Sequence, residues 1–277
     1  MGRVGLSFVE RHPVTAFFLA TGAVSWAGAL AVAAPALVRG QPVSPMAGIL
    51  MFPAMLLGPL LASIRLTARL KGRAGIRALF SGMNPAHIPA RWWWVLLLPP
   101  AALLCALWIL SRLASPAFTP NLFLPGLLFG IPAGLVEEVG WTGFAFPSMM
   151  ARRSPLQASV GLGLLWSAWH LPVINYLGAV TPHGAWWPEY FLAFALAMTA
   201  MRVLIGWLYV HTRSLLLAQM MHISSTGALV VFSPTHITAA QEAFWYAGYG
   251  VLLWLVVGAV VPCAGRALLR VPARVEL

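Results

Sequence analysis

The chain alternates between long apolar runs and short stretches where its charges collect. Runs long enough to cross a bilayer appear at about 14–38, 46–66, 92–111, 121–147, 156–178, 189–210, 214–233 and 243–264. Each is near the roughly 20 residues that a spanning helix needs. Within lipid, backbone polar groups must be satisfied inside the segment, and the two-residue alternation of barrel strands is missing here. The pattern predicts an all-α membrane protein with about eight transmembrane helices. No repeat or linker divides the chain, so residues 1–277 read as a single polytopic domain.

Charge orients the helices. With the N-terminus in the cytoplasm, 14 of the 17 Lys and Arg residues fall on the inner side, Arg3, Arg11, Arg152, Arg213 and Arg270 among them. Only Arg39 and Arg112 fall outside, and Arg202 lies within the sixth run. Cytoplasmic loops carry such an excess, so the topology is N-in and C-in. The longest connection, 67–91, is basic and rich in glycine and proline. It reads as a cytoplasmic loop that sets the topology, with at most a short amphipathic piece on anionic lipid. Trp92, Trp93 and Trp94 mark one membrane interface and Trp186 and Trp187 the other.

Composition agrees with this picture: 60% of residues are hydrophobic, 8% are charged, and the mean hydropathy is +0.84. The net charge of +11 is scattered among loop anchors rather than gathered on a polar domain, which argues against a nucleic-acid partner. Cys105 and Cys263 stand apart, with no CxxC or Cys/His spacing, so neither a disulfide framework nor a zinc finger is expected. The first run reads as a retained span rather than a cleaved signal peptide.

All six acidic residues are glutamates, and four of them (Glu10, Glu189, Glu242, Glu276) sit at segment ends or in the tail. Glu137 and Glu138 are adjacent and lie inside an apolar run. A charged side chain at membrane depth costs roughly 2.5–3.5 kcal/mol on insertion scales and usually has a functional reason to be there. Few other strongly polar residues remain within the spans. His170 lies on the fifth, in Trp166-Ser-Ala-Trp169-His170-Leu-Pro172, and His222 lies on the seventh, in Gln219-Met-Met-His222-Ile-Ser-Ser-Thr226. Their depths differ from that of Glu137 by about one to two turns, so the three can meet in one cavity.

Local spacing adds to this. Glu138 shares a helix face with Thr142, and His222 shares one with Gln219 and Thr226. Gly134, Gly140 and Gly143 permit close helix approach, and Pro172 should bend the fifth helix beside His170. A carboxylate in an apolar slot suits general-base work, and imidazoles hold protons, orient water or stabilise an oxyanion. The same Glu137, His170 and His222 are equally a two-His, one-carboxylate metal set. No HExxH is present, so no cofactor is expected and zinc stays open. Other polar residues have blander readings. Arg202 is expected to snorkel, with neutralisation of Glu138 as its alternative. Ser167, Ser224 and Ser225 read as packing hydroxyls, and the methionines at 149, 150, 198, 201, 220 and 221 as apolar filler. His12, His87, His183, His211 and His236 read as interfacial.

Glu137-Glu138-Val-Gly-Trp-Thr142, then Trp166-Ser-Ala-Trp-His170, then His222-Ile-Ser-Ser-Thr226 resemble the three ordered motifs of the CPBP intramembrane proteases. These are the CAAX-processing endopeptidases and their bacterial relatives, including the bacteriocin-immunity-like Abi group. The resemblance covers about 55–235 and takes in Gly58-Pro59-Leu60 and the basic loop. It implies an active site between the fourth, fifth and seventh helices. Glu137 would be the general base and Glu138 an organiser, His170 would position water, and His222 with Thr226 would stabilise the oxyanion. The chain departs from the pattern at Thr142, where arginine is usual, at Thr226, where asparagine is usual, and at Trp166, where phenylalanine is usual. Without the arginine, Glu138 is expected to lose its ion-pair partner.

The expected activity is thus an intramembrane endopeptidase using glutamate-activated water. Its substrate would be a membrane-embedded or lipidated peptide entering laterally or from the cytoplasmic face. An Ala- and Arg-rich composition places it in a bacterial cytoplasmic membrane. The alternatives are a degenerate immunity or scaffold protein that binds a peptide in the same pocket and, from another class, a proton-coupled transporter. Against the transporter, no inverted repeat is visible.

Overall fold

The computed structural model describes residues 7–86, 88–176, 180–263 and 267–270. Arg3, His87 and Glu276, which figured in the sequence reading, lie outside the described residues. All regular structure among the described residues is helical. The principal helices are α1 (Pro13–Val38), α2 (Pro45–Ser81), α3 (Leu98–Leu113), α4 (Leu127–Gly140), α5 (Pro155–Trp169), α6 (Trp187–Thr212), α7 (Leu215–Phe232) and α8 (Ala239–Cys263). Among the described residues, six helical stretches are long and apolar enough to cross a membrane, as an all-α membrane protein requires.

The two segments expected as the fourth and fifth spans are interrupted helices. After Gly140, α4 passes into a π-helical turn over Trp141–Ala145 and resumes as Phe146–Met150. Helix α5 stops at Trp169, His170 forms the joint, and a single turn Leu171–Ile174 follows. The second break is the one Pro172 dictates, because proline cannot donate to the carbonyl one turn back. The π turn had no such marker.

Helix α2 overturns part of the loop assignment for 67–91, because it continues to Ser81. Residues 73–81 are rich in Ala, Leu and Arg, which favour helix. Gly72, at φ 62°, supplies the left-handed joint that lets the chain turn before resuming. The extension docks on the core. Leu79 is buried, and the Gly82 carbonyl accepts from the amides of Leu215 (2.7 Å) and Leu216 (3.2 Å) at the start of α7.

Helix α4 sits at the centre, packed between α2 and α7, while α6 packs on α5 and α8. Two glycines set the first of these spacings. A Cβ on Gly134 would lie 2.6 Å from the Gln219 carbonyl oxygen of α7, and one on Gly140 would lie 2.6 Å from the Pro59 carbonyl oxygen of α2. No side chain fits at either position, so the backbones of α2, α4 and α7 approach closely around the glutamates.

His183, expected at the interface, and Glu242, expected at a segment end, are instead drawn together inside the protein. Both are buried, with His183 Nε2 3.1 Å from Glu242 Oε2 and the imidazole stacked on Tyr190 at 3.7 Å between centroids. The amide of Val180 also donates to Glu242 Oε2 at 2.9 Å. Polar groups withdrawn from water and lipid together have to satisfy one another.

Candidate active site

Adjacent helical residues point about 100° apart, so Glu137 and Glu138 face different neighbours. Glu137 turns toward α5. Its Oε2 accepts the indole N–H of Trp141, one turn on, at 3.0 Å and that of Trp166 at 3.1 Å. Glu138 turns toward α6 and α7. Its Oε2 accepts from the Thr142 hydroxyl and from Arg202 Nη1 (3.0 Å), and its Oε1 is held by Arg202 Nη2 and by His222 Nδ1 (2.7 Å). Both carboxylates are buried.

Arg202 does not snorkel. It is 1% exposed and forms a two-pronged pair with Glu138, a geometry that the planar guanidinium fork favours. The expectation that Glu138 lacks an ion-pair partner is therefore corrected: the cation comes from α6, while Thr142 adds a hydroxyl donor. Arg202 also lies over the Trp166 ring, with Cζ 4.3 Å from the centroid, within cation–π range.

Trp166 links the remaining members. Its carbonyl oxygen is 2.8 Å from His170 Nδ1, one turn later. A carbonyl only accepts, so Nδ1 carries the proton and Nε2 is left with its lone pair. The Trp166 ring meets His170 and His222 edge-on, at 5.1 and 5.2 Å between centroids. Trp169 and Phe194 enclose His170 further, at 4.7 and 5.2 Å.

Glu137, His170, His222 and Thr226 all line one cavity of about 510 Å³. Its remaining wall is mainly apolar, with Phe52, Phe129 and Met198 among the contributors. The structure thus brings together four of the five expected site residues. Glu138, the fifth, stands behind the wall and grips His222. Gln219, expected to support His222, instead donates to the Leu135 carbonyl at 2.7 Å. Ser224 donates to the Leu96 carbonyl at 2.5 Å and Ser167 to the Gly163 carbonyl at 2.8 Å, as packing hydroxyls do.

Residues 119–228 match the family described as Type II CAAX prenyl endopeptidase Rce1-like. Over 105 residues the chain is 35% identical to the CAAX prenyl protease 2 of Methanococcus maripaludis, an alignment covering 36% of this chain and 38% of that protein's length. Residues 119–228 are thus similar to a CAAX prenyl endopeptidase family, and the chain aligns with well under half of the curated relative's length. The match runs from just before α4 through most of α7 and is narrower than the 55–235 expected from the motifs. It includes Glu137, Glu138, His170, Arg202, His222 and Thr226.

Within residues 119–228, the Glu137, His170 and His222 set does not fit a resident metal. Among the described residues, no group of three His, Cys, Asp or Glu side chains converges to hold an ion.

The donor role of two tryptophans was not foreseen from sequence: Trp166 was noted only as a departure from the motif and Trp141 only within it, yet each supplies an N–H to the central carboxylate. The available signal was spacing: Trp141 is four residues after Glu137, and Trp166 four before His170.

Proposed function

We propose that the protein is an intramembrane endopeptidase that cleaves membrane-associated polypeptides with a water molecule activated by Glu137. The observation that carries this reading is the opening of one carboxylate and two imidazoles, from three separate helices, onto a single cavity. The likeness of residues 119–228 to a CAAX prenyl endopeptidase family supports a protease, and the geometry supports the division of labour.

The Glu137 carboxylate accepts a proton from the attacking water. His170 Nε2, an acceptor because Nδ1 is committed to the Trp166 carbonyl, receives the water's other hydrogen and aims its oxygen. Attack on the peptide carbonyl carbon forms a tetrahedral oxyanion. The Thr226 hydroxyl donates to that oxygen, while His222, whose Nδ1–H is committed to Glu138, would offer a second donor there through Nε2 only as the doubly protonated ring. Glu137 then passes its proton to the departing amine as the C–N bond breaks. Glu138, Arg202 and Thr142 are positioning residues, acting through His222. No covalent enzyme intermediate is involved.

Proteolysis of a membrane peptide by reconstituted protein tests the reading. Glu137→Gln keeps an acceptor oxygen for the indoles but removes the base, so the rate should fall about 10²–10⁴-fold. Equal rates would end the hydrolase reading. Biological activity surviving in a Glu137→Gln, His170→Ala double variant would favour a peptide-binding role in its place.

A further inference from the structure

The cavity has a direction. Its rim is built from the ends of helices that all point the same way. Pro45 begins α2, Asn121 and Phe123 precede α4, Tyr176 follows the turn after α5, Tyr190 begins α6, and Thr235 follows α7. From this rim the cavity descends to Glu137 and His222, each about ten residues, or roughly 15 Å, along its helix. None of the lining residues comes from the opposite helix ends. On that side the buried Glu138–Arg202–His222 network forms the floor, with Phe146, Leu204 and Leu217 buried beneath it.

The charges identify which side is which. The closed side carries the basic segment Arg65–Arg77, Arg91, Arg152, Arg153 and Arg213, whereas the open side carries only Arg39, in the stretch 39–44, and Arg112, in the last turn of α3; the stretches 114–126 and 233–238 hold no Lys or Arg. Basic residues are retained in the cytoplasm. We propose that the catalytic cavity opens to the non-cytoplasmic face, and that its substrate is an apolar polypeptide segment presented at the outer leaflet. The substrate half of this proposal rests on the peptidase reading, but the direction of opening does not. Of the two expected routes, lateral or from the cytoplasmic face, the proposal sets an outer opening in place of the cytoplasmic one.

The rim itself suits an outer-leaflet ligand. Met46, Ile49, Leu122 and Phe123 are exposed around it, and Asn121, Ser233 and Thr235 supply its polar contacts. An apolar segment can slide over the first group while its backbone is satisfied by the second, before reaching the buried acceptors below.

Labelling of single cysteines in the full-length protein tests the direction. In a Cys105→Ser, Cys263→Ser background, Thr235→Cys stands at the rim and Arg152→Cys at the closed end, both exposed positions. A membrane-impermeant maleimide added to intact cells should modify Thr235→Cys at least tenfold faster than Arg152→Cys, and the order should invert in inside-out vesicles. Faster labelling of Arg152→Cys from outside would overturn the proposal. In parallel, a fluorogenic apolar peptide with a charged, impermeant tail is presented to right-side-out and inside-out vesicles. Cleavage confined to right-side-out vesicles supports outer access, and cleavage confined to inside-out vesicles overturns it while leaving the peptidase reading intact. If neither orientation cleaves but Thr235→Cys is labelled from outside, the direction stands and the peptidase reading fails.

Discussion

Arg202 and Glu138 are 64 positions apart in the chain and form a two-pronged ion pair at the heart of the bundle, both side chains withdrawn from solvent. The pair has a consequence for stability that can be measured. Removing one partner strands the other's charge, so Arg202→Met should lower unfolding stability by about 3–5 kcal/mol. Replacing both groups removes the charge problem altogether. The Arg202→Met, Glu138→Gln double variant should recover much of that loss in a detergent melting experiment while remaining impaired in hydrolysis, because His222 loses its anchor. A double variant no more stable than Arg202→Met alone would contradict the coupling.

Trp166 donates one of two N–H groups to Glu137. Trp166→Phe keeps an aromatic ring for Arg202 and the imidazoles but deletes that donor. A hydrogen bond to a charged group contributes about 1.5–3 kcal/mol, so kcat/KM should fall by tenfold or more. The melting temperature should move much less than in Arg202→Met. Steady-state kinetics and a thermal melt on the same preparation give both numbers.

His170 can be dissected with two amides. Asparagine places an N–H near the δ position and can still donate to the Trp166 carbonyl, but it offers nothing where Nε2 stood. Glutamine reaches the ε position and retains an acceptor there. If His170 orients water through Nε2, His170→Gln should keep measurably more activity than His170→Asn, with both well below wild type. The reverse order would assign the residue to packing.

The glycines facing α2 and α7 should be intolerant of one methyl group. Gly134→Ala drives a Cβ against Gln219 and Ile223, and overpacking of this kind costs typically about 1–3 kcal/mol. Separating α4 from α7 should also lower kcat, because Glu138 and His222 sit on those two helices. Gly22→Ala, where nothing lies within 4 Å of the added atom, is the control and should be neutral or slightly stabilising.

Because the donor geometry does not suit a resident ion, hydrolysis should survive exhaustive treatment with a strong chelator. Loss of activity on chelation, restored by one specific metal, would require a rearranged site.

Much of this architecture was legible in the chain. Hydropathy located the membrane segments, the cost of burying charge singled out Glu137 and Glu138, and depth arguments brought His170 and His222 to the same level. Pro172 announced the break beside His170. What escaped was mostly long-range. Arg202 looked like a residue able to reach the interface, since nothing local says which way a guanidinium on α6 points. His183 and Glu242 looked peripheral because position near a helix end resembles exposure until tertiary packing covers it. Residues 67–81 carried glycines and charges typical of a loop, but Gly72 redirects the helix rather than ending it. The π turn after the glutamates has no compositional mark, although such turns cluster at functional sites.

Trp166 touches the base through its N–H, His170 through its carbonyl, and Arg202 and His222 through its ring. A centre wired through one indole cannot relax piecemeal: a disturbance at any member is felt by the others at once. Substitution effects around this ring should therefore fail to sum.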